Sequence, residues 1–203
     1  MRAYLFHLEN GFPFKDYVVQ GRNYDANSLI RNVGFRQVEH KKFEGFEKIA
    51  VVRDPIRRFL SGYSNRVLHY RELSEEKAGE RLKELGLRPD PDLPLFVENF
   101  QKYCKASRWI GHHFSKQQTY LGKNKRYYNH IFQLEKIGEL AEFLNAKLNV
   151  NATFPRLQTG GQKIDFSDLP LDLRSKVFDI VSDDIAYVFN PGYAAEGKAG
   201  LRT

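Results

Sequence analysis

Apolar and polar positions divide the chain into a β-rich beginning and a largely helical remainder. Tyr4 to Leu8 and Asp16 to Val19 are short runs rich in aromatic and β-branched residues. Turn-forming residues separate them, so the pattern predicts two strands or a hairpin-like entry. The segment from Gly21 to Ser28 precedes an apolar helical pattern. We therefore expect a strand-to-helix turn there, with Asn27 or Ser28 as the helix N-cap.

The most informative pattern begins at residue 49. The apolar run from Ile49 to Val52 is typical of a buried parallel strand. Helical spacing follows at Phe59, Leu60, Tyr63 and Val67. Arg53 is thus expected at the carboxyl end of a strand and Ser61 in the first turns of a helix, an edge where open α/β sheets bind anions. The alternative is a simple surface connection in which Arg53 pairs with Asp54.

Helices account for most of the remaining chain. Alternating charges predict a solvated helix at 73–87, which a loop containing three prolines ends. Apolar stripes predict further helices at 95–103, 137–148 and 173–188. The tail at 190–203 is rich in glycine and alanine and is expected to fray.

Length and charge limit the classes of protein that fit. A chain of 203 residues predicts a single domain over 1–203. Its 32 lysines and arginines exceed the 25 acidic residues, for a net charge of +7, which indicates anionic partners. Cys104 is the single cysteine, which excludes an internal disulfide. No metal is expected, and without a signal segment or apolar span the protein is expected to be soluble and cytoplasmic.

The residues around Arg53 resemble a known family signature. Arg53-Asp54-Pro55, followed by Arg58, Ser61 and Tyr63, is similar to the signature of sulfotransferases that use 3′-phosphoadenosine 5′-phosphosulfate (PAPS). The resemblance implies that Arg53 and Ser61 bind the 3′-phosphate and that Arg58 belongs to the same nucleotide site. A guanidinium fork and a hydroxyl beside a helix N-terminus suit a phosphate dianion.

Weaker likenesses extend over roughly residues 17–189. His113 to Gln117 looks like the HWxPQ segment of carbohydrate sulfotransferases, with Lys116 in place of proline, and implies that His113 and Gln117 contact substrate. The stretch at 128–144 resembles the family's strand, acidic residue and helix. The loop at 156–163 is similar to the one that closes over the nucleotide, which implies nucleotide contacts from Thr159, Gly160, Gly161 and Lys163.

The chain departs from this family at the loop for the 5′-phosphosulfate. The family's loop reads approximately Lys-x-x-x-Thr-Ser, whereas the nearest segment here places Arg22 or Asn23 at the lysine and Asn27-Ser28 at the hydroxyls. A second possible register would use Asn10, Pro13 and Phe14. The first is preferred because Ser28 precedes a helical pattern and Arg22 is basic. The substitution puts catalytic competence in question, since arginine does not replace an ammonium at a tight site.

Sulfuryl transfer calls for a base near the acceptor hydroxyl. His40 is the first candidate and Glu39 the second, because they lie between the two expected anion loops; the alternative for His40 is a surface residue beside two lysines. Basic and aromatic residues at 108–128, including Trp109, are candidates for an acceptor groove. Such aromatic rings stack on sugar faces.

The resemblance implies an α/β fold, a P-loop-like three-layer sandwich with a central, mainly parallel sheet flanked by helices. It further implies a short, bacterial-type sulfotransferase that moves a sulfuryl group from PAPS to a hydroxyl of a carbohydrate and releases 3′-phosphoadenosine 5′-phosphate (PAP). One alternative is a non-catalytic protein of the same fold that binds nucleotides or anionic glycans. Nucleic acid is not expected as a partner, because the charges are not concentrated on one helix and no recognition motif occurs.

Overall fold

The chain forms two compact units in a computed structural model that describes residues 1–25, 28, 33–154 and 161–189. The first unit consists of Met1–Val52 and Asn124–Thr159, and the second of Arg53–Lys123 and Gly160–Thr203. A single domain over 1–203 stays a prediction. The tail expected to fray at 190–203 lies outside the described residues.

The first unit begins with helix α1 at Arg2–Asn10, so the strand predicted at 4–8 is wrong. Tyr4 is fully buried, and its ring stacks on Phe154 with the centroids 4.5 Å apart. Gly11 ends the helix with a φ angle of +77°. Glycine in the left-handed conformation is a common helix stop, and burial of Tyr4 stabilises the helix in place of a strand.

A β-hairpin follows α1. Strand β1 (Tyr17–Val19) pairs antiparallel with β2 (Arg22–Tyr24). Gln20 and Gly21 connect them with φ angles of +50° and +75°, as a two-residue type I′ turn requires. The strand predicted at 16–19 is confirmed. The turn predicted from Gly21 to Ser28 is wrong in its first half, because that segment returns as the second strand of the hairpin.

A parallel pair of strands lies in the same unit. Strand β3 (Ile49–Val52) pairs with β4 (His130–Gln133), with Ile49 opposite His130 and Val52 opposite Gln133. Helix α8 (Ile137–Leu148) follows β4 and buries Leu140. The strand predicted at 49–52 and the helix predicted at 137–148 are both confirmed. Single turns of 3-10 helix occur in this unit at Phe35–Gln37, His40–Phe43, Lys125–Tyr127 and Leu134–Lys136.

The second unit is helical over its described residues. Its elements are α2 (Pro55–Gly62), a π-helical continuation at Tyr63–His69, α3 (Glu75–Glu84), α4 (Leu93–Glu98), α5 (Phe100–Ala106), α6 (Arg108–His113), α7 (Gln117–Leu121), a 3-10 turn at Phe166–Asp168, and α9 (Leu171–Val188). The helix predicted at 95–103 is two helices, because Asn99 departs from helical geometry between α4 and α5. The helices predicted at 73–87 and 173–188 are confirmed, although Leu82 of the first is fully buried.

Aromatic rings form the centre of the second unit's core. Phe59 of α2 lies 5.6 Å from Phe100 and 5.2 Å from Phe114, measured between ring centroids. Val177 and Ile185 of α9 belong to the same buried cluster. Burying a side chain of this size contributes about 1.5–3 kcal/mol. The packing fixes the apolar face of α2, so its polar face is positioned by the core.

The mixed helix-and-sheet class with a parallel pair of strands is confirmed. The described residues contain two separate two-stranded sheets, one antiparallel and one parallel. The larger three-layer sandwich stays a prediction.

Candidate functional site

Helix α2 begins with a capping arrangement that the sequence encodes locally. The side chain of Asp54 accepts a 2.8 Å hydrogen bond from the backbone N–H of Arg57, and Pro55 occupies the first helical position. Both features favour helix initiation at this point. Arg57, Ser61 and Ser64 then follow at spacings of four and three, so they lie on one face of the helix.

That polar face lines a cavity of about 350 Å³ in the second unit. Arg53 stands four residues before Arg57 and contributes to the same wall, and the segment Gly161–Phe166 forms the opposite wall. The residues that line it are Arg53, Arg57, Leu60, Ser61, Ser64, Gly161, Gln162, Lys163, Ile164, Asp165 and Phe166. We call this cavity the anion pocket, because three of its lining side chains are cationic and only one is acidic.

The loop wall of the anion pocket is tied to the π-helical continuation of α2. The hydroxyl of Ser64, which is buried, donates a 2.5 Å hydrogen bond to the carbonyl oxygen of Gln162. Asp165 accepts hydrogen bonds from the backbone N–H and the hydroxyl of Ser167, and these two bonds lower the pKa of the Asp165 carboxyl. Asp165 is therefore ionised near neutral pH, and it partly offsets the positive charge of the pocket.

Two of the residues expected to bind the nucleotide occupy the helix wall, and two occupy the loop wall. Arg53 and Ser61 line the anion pocket on the α2 side, and Gly161 and Lys163 line it on the loop side. Their assignment as nucleotide ligands stays a prediction, but the structure brings these four residues together. Thr159, Gly160 and Asn27, predicted for the same function, lie outside the described residues.

Arg58 points to a different face of α2. Its guanidinium donates to the carbonyl oxygens of His113 and Ser115, at 3.0 and 2.7 Å, and lies 3.3 Å from a carboxylate oxygen of Asp184. It lines a second cavity, of about 240 Å³, which does not share a residue with the anion pocket. The structure thus places Arg58 apart from Arg53 and Ser61, because Arg58 directly follows Arg57 in α2 and is rotated from it by about 100° around the helix axis.

The residues predicted to contact substrate are spread over the second unit. His113 lines the second cavity, and burial together with nearby cations lowers its pKa to about 4. Gln117 is buried and its carboxamide binds the backbone of Arg53. Trp109 is 48% exposed, with the guanidinium of Arg108 lying over its ring at 4.9 Å. Their roles in acceptor binding stay predictions.

The segment proposed for the 5′-phosphosulfate lies in the first unit. Arg22 stands in strand β2 with its guanidinium 5.3 Å from the ring centre of Tyr24. The backbone N–H and hydroxyl of Ser28 both donate to the side chain of Asp25. In the other register, the side chain of Asn10 donates to the carbonyl oxygen of a residue in its own helix. Ser28 is helical and follows β2, as the first register expects, but Arg22 lies within the strand and Asn10 within helix α1. Neither candidate for the lysine therefore lies in a loop between strand and helix.

His40 and Glu39 also belong to the first unit. Nε2 of His40 lies 3.1 Å from the carbonyl oxygen of Phe35, and Nδ1 lies 2.9 Å from the hydroxyl of Tyr127. A carbonyl only accepts, so Nε2 carries a proton and Nδ1 of the neutral ring accepts from Tyr127. Glu39 forms an exposed ion pair with Lys42 at 2.7 Å. The assignment of either residue as a base stays a prediction, and in this conformation both nitrogens of His40 have partners.

Sequence reasoning missed several residues of the anion pocket. Arg57 and Ser64 were detectable from Ser61, because they lie four residues before it and three residues after it, which places all three on one face of a helix. Asp165 and Gln162 carry no such signal. They reach the pocket through the fold of the segment that follows residue 160.

The described part of the chain holds no group of three or more histidine, cysteine or acidic side chains placed to bind a metal ion. Among its helices, none is both long enough and apolar enough to cross a membrane.

Comparison with known proteins identifies the class that these features define. A family model described as "Sulfotransferase family" matches residues 20–186. The chain belongs to the sulfotransferase family, and the resemblance drawn from the Arg53 motif is confirmed. No curated protein and no solved structure gives a significant match to this chain.

Proposed function

We propose that this protein transfers a sulfuryl group from PAPS to a hydroxyl group of a carbohydrate and releases PAP. The observation that carries the proposal is the joint position of Arg53 and Ser61 on one wall of the anion pocket. They are the two positions that match the family's 3′-phosphate ligands. The proposal includes the P-loop-like three-layer sandwich expected for the family.

The residues of the anion pocket fit a nucleotide phosphate in charge and in donor type. Arg53, Arg57 and Lys163 supply cations, and Ser61 supplies a hydroxyl donor. Arginine binds phosphate oxygens through two parallel N–H donors, which gives both affinity and orientation. A volume of about 350 Å³ lies within the range of roughly 300–1,000 Å³ that ligand pockets occupy. These residues would hold the 3′-phosphate end of the donor.

A carbohydrate is the proposed acceptor because of the exposed indole of Trp109. The guanidinium of Arg108 lies over one face of this ring, 4.9 Å from its centroid. The pair therefore combines an apolar aromatic surface with an adjacent positive charge. Such a surface suits a sugar ring that carries carboxylate or sulfate groups.

The alternative is a non-catalytic protein that binds nucleotides or anionic glycans on the same fold. One observation favours it: Arg22, the candidate for the 5′-phosphosulfate lysine, stands in a hairpin strand and lies over Tyr24. Transfer requires stabilisation of charge that develops on the leaving phosphate. A protein without a cation at that position would retain the nucleotide and lose turnover.

Calorimetric titration with PAP tests the proposed donor. Arg53→Ala and Ser61→Ala are expected to weaken binding, the first by roughly ten- to a hundredfold, since a hydrogen bond to a charged group contributes about 1.5–3 kcal/mol. Arg81→Ala is the matched control, because Arg81 forms a surface pair with Glu84 in α3. Absence of PAP binding by the wild-type protein would overturn the proposal.

A transfer assay separates the enzyme from the alternative. Wild-type protein is incubated with PAPS and a panel of neutral and acidic saccharides, and release of PAP is measured together with sulfated product. Binding of PAP with no transfer to any saccharide would favour the non-catalytic alternative. In the same assay, His40→Ala is expected to lower turnover far more than PAP affinity if His40 is the base. Equal losses in turnover and affinity would assign His40 a structural role.

A further inference from the structure

The carboxamide of Gln117 binds both backbone groups of Arg53. Its oxygen accepts a 2.8 Å hydrogen bond from the Arg53 N–H, and its nitrogen donates at 2.9 Å to the Arg53 carbonyl oxygen. Gln117 is only 6% exposed. Because the amide both accepts and donates, it makes the two contacts that a neighbouring strand would make, and it does so at the residue where the nucleotide motif begins.

Gln117 is held in turn by a buried carboxylate of α9. Its backbone N–H donates at 2.8 Å to one carboxylate oxygen of Asp184, which is 5% exposed. The other carboxylate oxygen lies 3.3 Å from the guanidinium of Arg58. Desolvation raises the pKa of Asp184, while the hydrogen bond from Gln117 and the charge of Arg58 oppose that rise. A buried carboxylate needs such partners, and breaking the arrangement is costly.

Arg58 completes the arrangement on the other side of Gln117. Its guanidinium also binds the carbonyl oxygens of His113 and Ser115, at 3.0 and 2.7 Å. The connection between α6 and α7 is thus held by Arg58 and Asp184, and this connection leads directly into Gln117. Every one of these residues belongs to the second unit.

We propose that Gln117 and Asp184 are positioning residues that hold the backbone of Arg53 so that its side chain serves the anion pocket. We call the two residues the positioning pair. The inference rests on the proposed binding of a 3′-phosphonucleotide by Arg53. It assigns Gln117 an action through Arg53, in place of the direct contact with substrate that the family resemblance implies for this position.

The chemistry of the contact explains why this position needs glutamine. Glutamate would keep an acceptor for the Arg53 N–H but would set a carboxylate oxygen against the Arg53 carbonyl. Asparagine is one methylene shorter, and alanine removes both hydrogen bonds. A glutamine that served only to fill the core would tolerate an apolar or isosteric substitute far better than one that orients a ligand residue.

Selectivity for the 3′-phosphate tests the proposal. Affinities for PAP and for adenosine 5′-phosphate, which lacks the 3′-phosphate, are measured by competition in the wild-type protein, Gln117→Ala, Gln117→Glu and Asp184→Asn. We expect Gln117→Ala to reduce the preference for PAP by roughly tenfold, since two hydrogen bonds that position Arg53 are lost. Gln117→Glu keeps the acceptor for the Arg53 N–H but sets a buried carboxylate oxygen against the Arg53 carbonyl, so it should reduce the preference for PAP at least as much as Gln117→Ala. Gln118→Ala, at the adjacent glutamine of α7, is the matched control and should leave the preference unchanged.

Hydrogen exchange of the Arg53 amide supplies a readout that does not need a nucleotide. The amide is expected to exchange faster in Gln117→Ala than in Gln118→Ala, because its acceptor is gone, while amides within α9 stay protected. Unchanged protection of Arg53 in Gln117→Ala would overturn the positioning pair. Gln117→Met removes the same acceptor while keeping a side chain of similar length, and it repeats this comparison if Gln117→Ala does not fold.

The possible failures are distinguishable. If the wild-type protein does not bind PAP, the proposed function is overturned, and the positioning pair is overturned with it as an aid to nucleotide binding. If the wild-type protein prefers PAP and Gln117→Ala loses affinity equally for both nucleotides, or loses none, the positioning pair alone is overturned. A loss confined to PAP, together with faster exchange at Arg53, supports it.

Discussion

A Cβ atom added to Gly161 would lie 2.8 Å from the hydroxyl oxygen of Ser64. Gly161 also has a φ angle of +106°, a conformation that side chains disfavour. The loop wall of the anion pocket can therefore approach the π-helical continuation of α2 this closely because residue 161 has no side chain. Glycine is thus favoured at position 161 for two reasons: a side chain there would collide with Ser64, and the backbone conformation disfavours any residue with a Cβ atom.

Gly161→Ala is expected to disturb this wall. The substitution should lower the free energy of unfolding by about 1 kcal/mol or more and weaken PAP binding several-fold, because the loop must move away from Ser64. Chemical denaturation and calorimetry measure the two effects. Gly138→Ala in α8 is the matched control: a Cβ there meets nothing within 4 Å, so a gain of about 0.5–1 kcal/mol is expected. Similar behaviour of the two variants would contradict the steric argument.

Arg57 and Arg58 are adjacent but should respond to alanine in opposite ways. Arg57 lines the anion pocket and is exposed, so Arg57→Ala should weaken PAP binding and leave stability nearly unchanged. Arg58→Ala leaves the buried Asp184 without its cation and should destabilise the fold by roughly 3 kcal/mol. Urea denaturation and titration with PAP distinguish the two. The assignment of faces on α2 is wrong if Arg57→Ala is the destabilising variant.

His113 should make stability depend on pH. Its pKa is lowered to about 4, first by burial and then by the charges of Arg66, His112 and Arg58. An unfolded histidine binds a proton near pH 6.5, so the unfolded chain holds more protons than the folded one between about pH 4 and 6.5. Stability should therefore fall as the pH is lowered through this window.

Urea denaturation from pH 4 to 7 checks this dependence. His113→Gln is expected to have a shallower decline toward low pH than the wild-type protein, because the variant has no imidazole to protonate. His69→Gln, at an exposed histidine, should keep the wild-type slope. If His113→Gln retains the wild-type slope, burial of His113 is not the cause.

Cys104 should be unreactive in the folded protein. Burial raises the pKa of its thiol to about 12, so almost no thiolate, the reactive form, is present near pH 8. Alkylation by iodoacetamide, followed by mass spectrometry, should be slow in buffer and fast in urea. Rapid labelling without urea would show that this side of the second cavity opens readily.

Much of the architecture around residue 53 is local and was predictable. The strand at 49–52 and the helix that follows it come from apolar spacing, and Asp54 with Pro55 specifies where α2 begins. The predictions failed where short runs were ambiguous. Tyr4 to Leu8 is too brief to separate strand from helix by periodicity, and burial of Tyr4 against Phe154, a partner 150 positions away in the chain, decided for the helix.

The sequence by itself determined the family and the main residues of the anion pocket's helix wall, because a motif and a helical spacing are properties of neighbouring residues. Only the tertiary structure decided how those residues are held. The contact from Gln117 to Arg53 spans 64 positions, and the contact from Ser64 to Gln162 spans 98. Such pairs carry no local signal, since they form only when the core packing of α2 and α9 brings distant segments together.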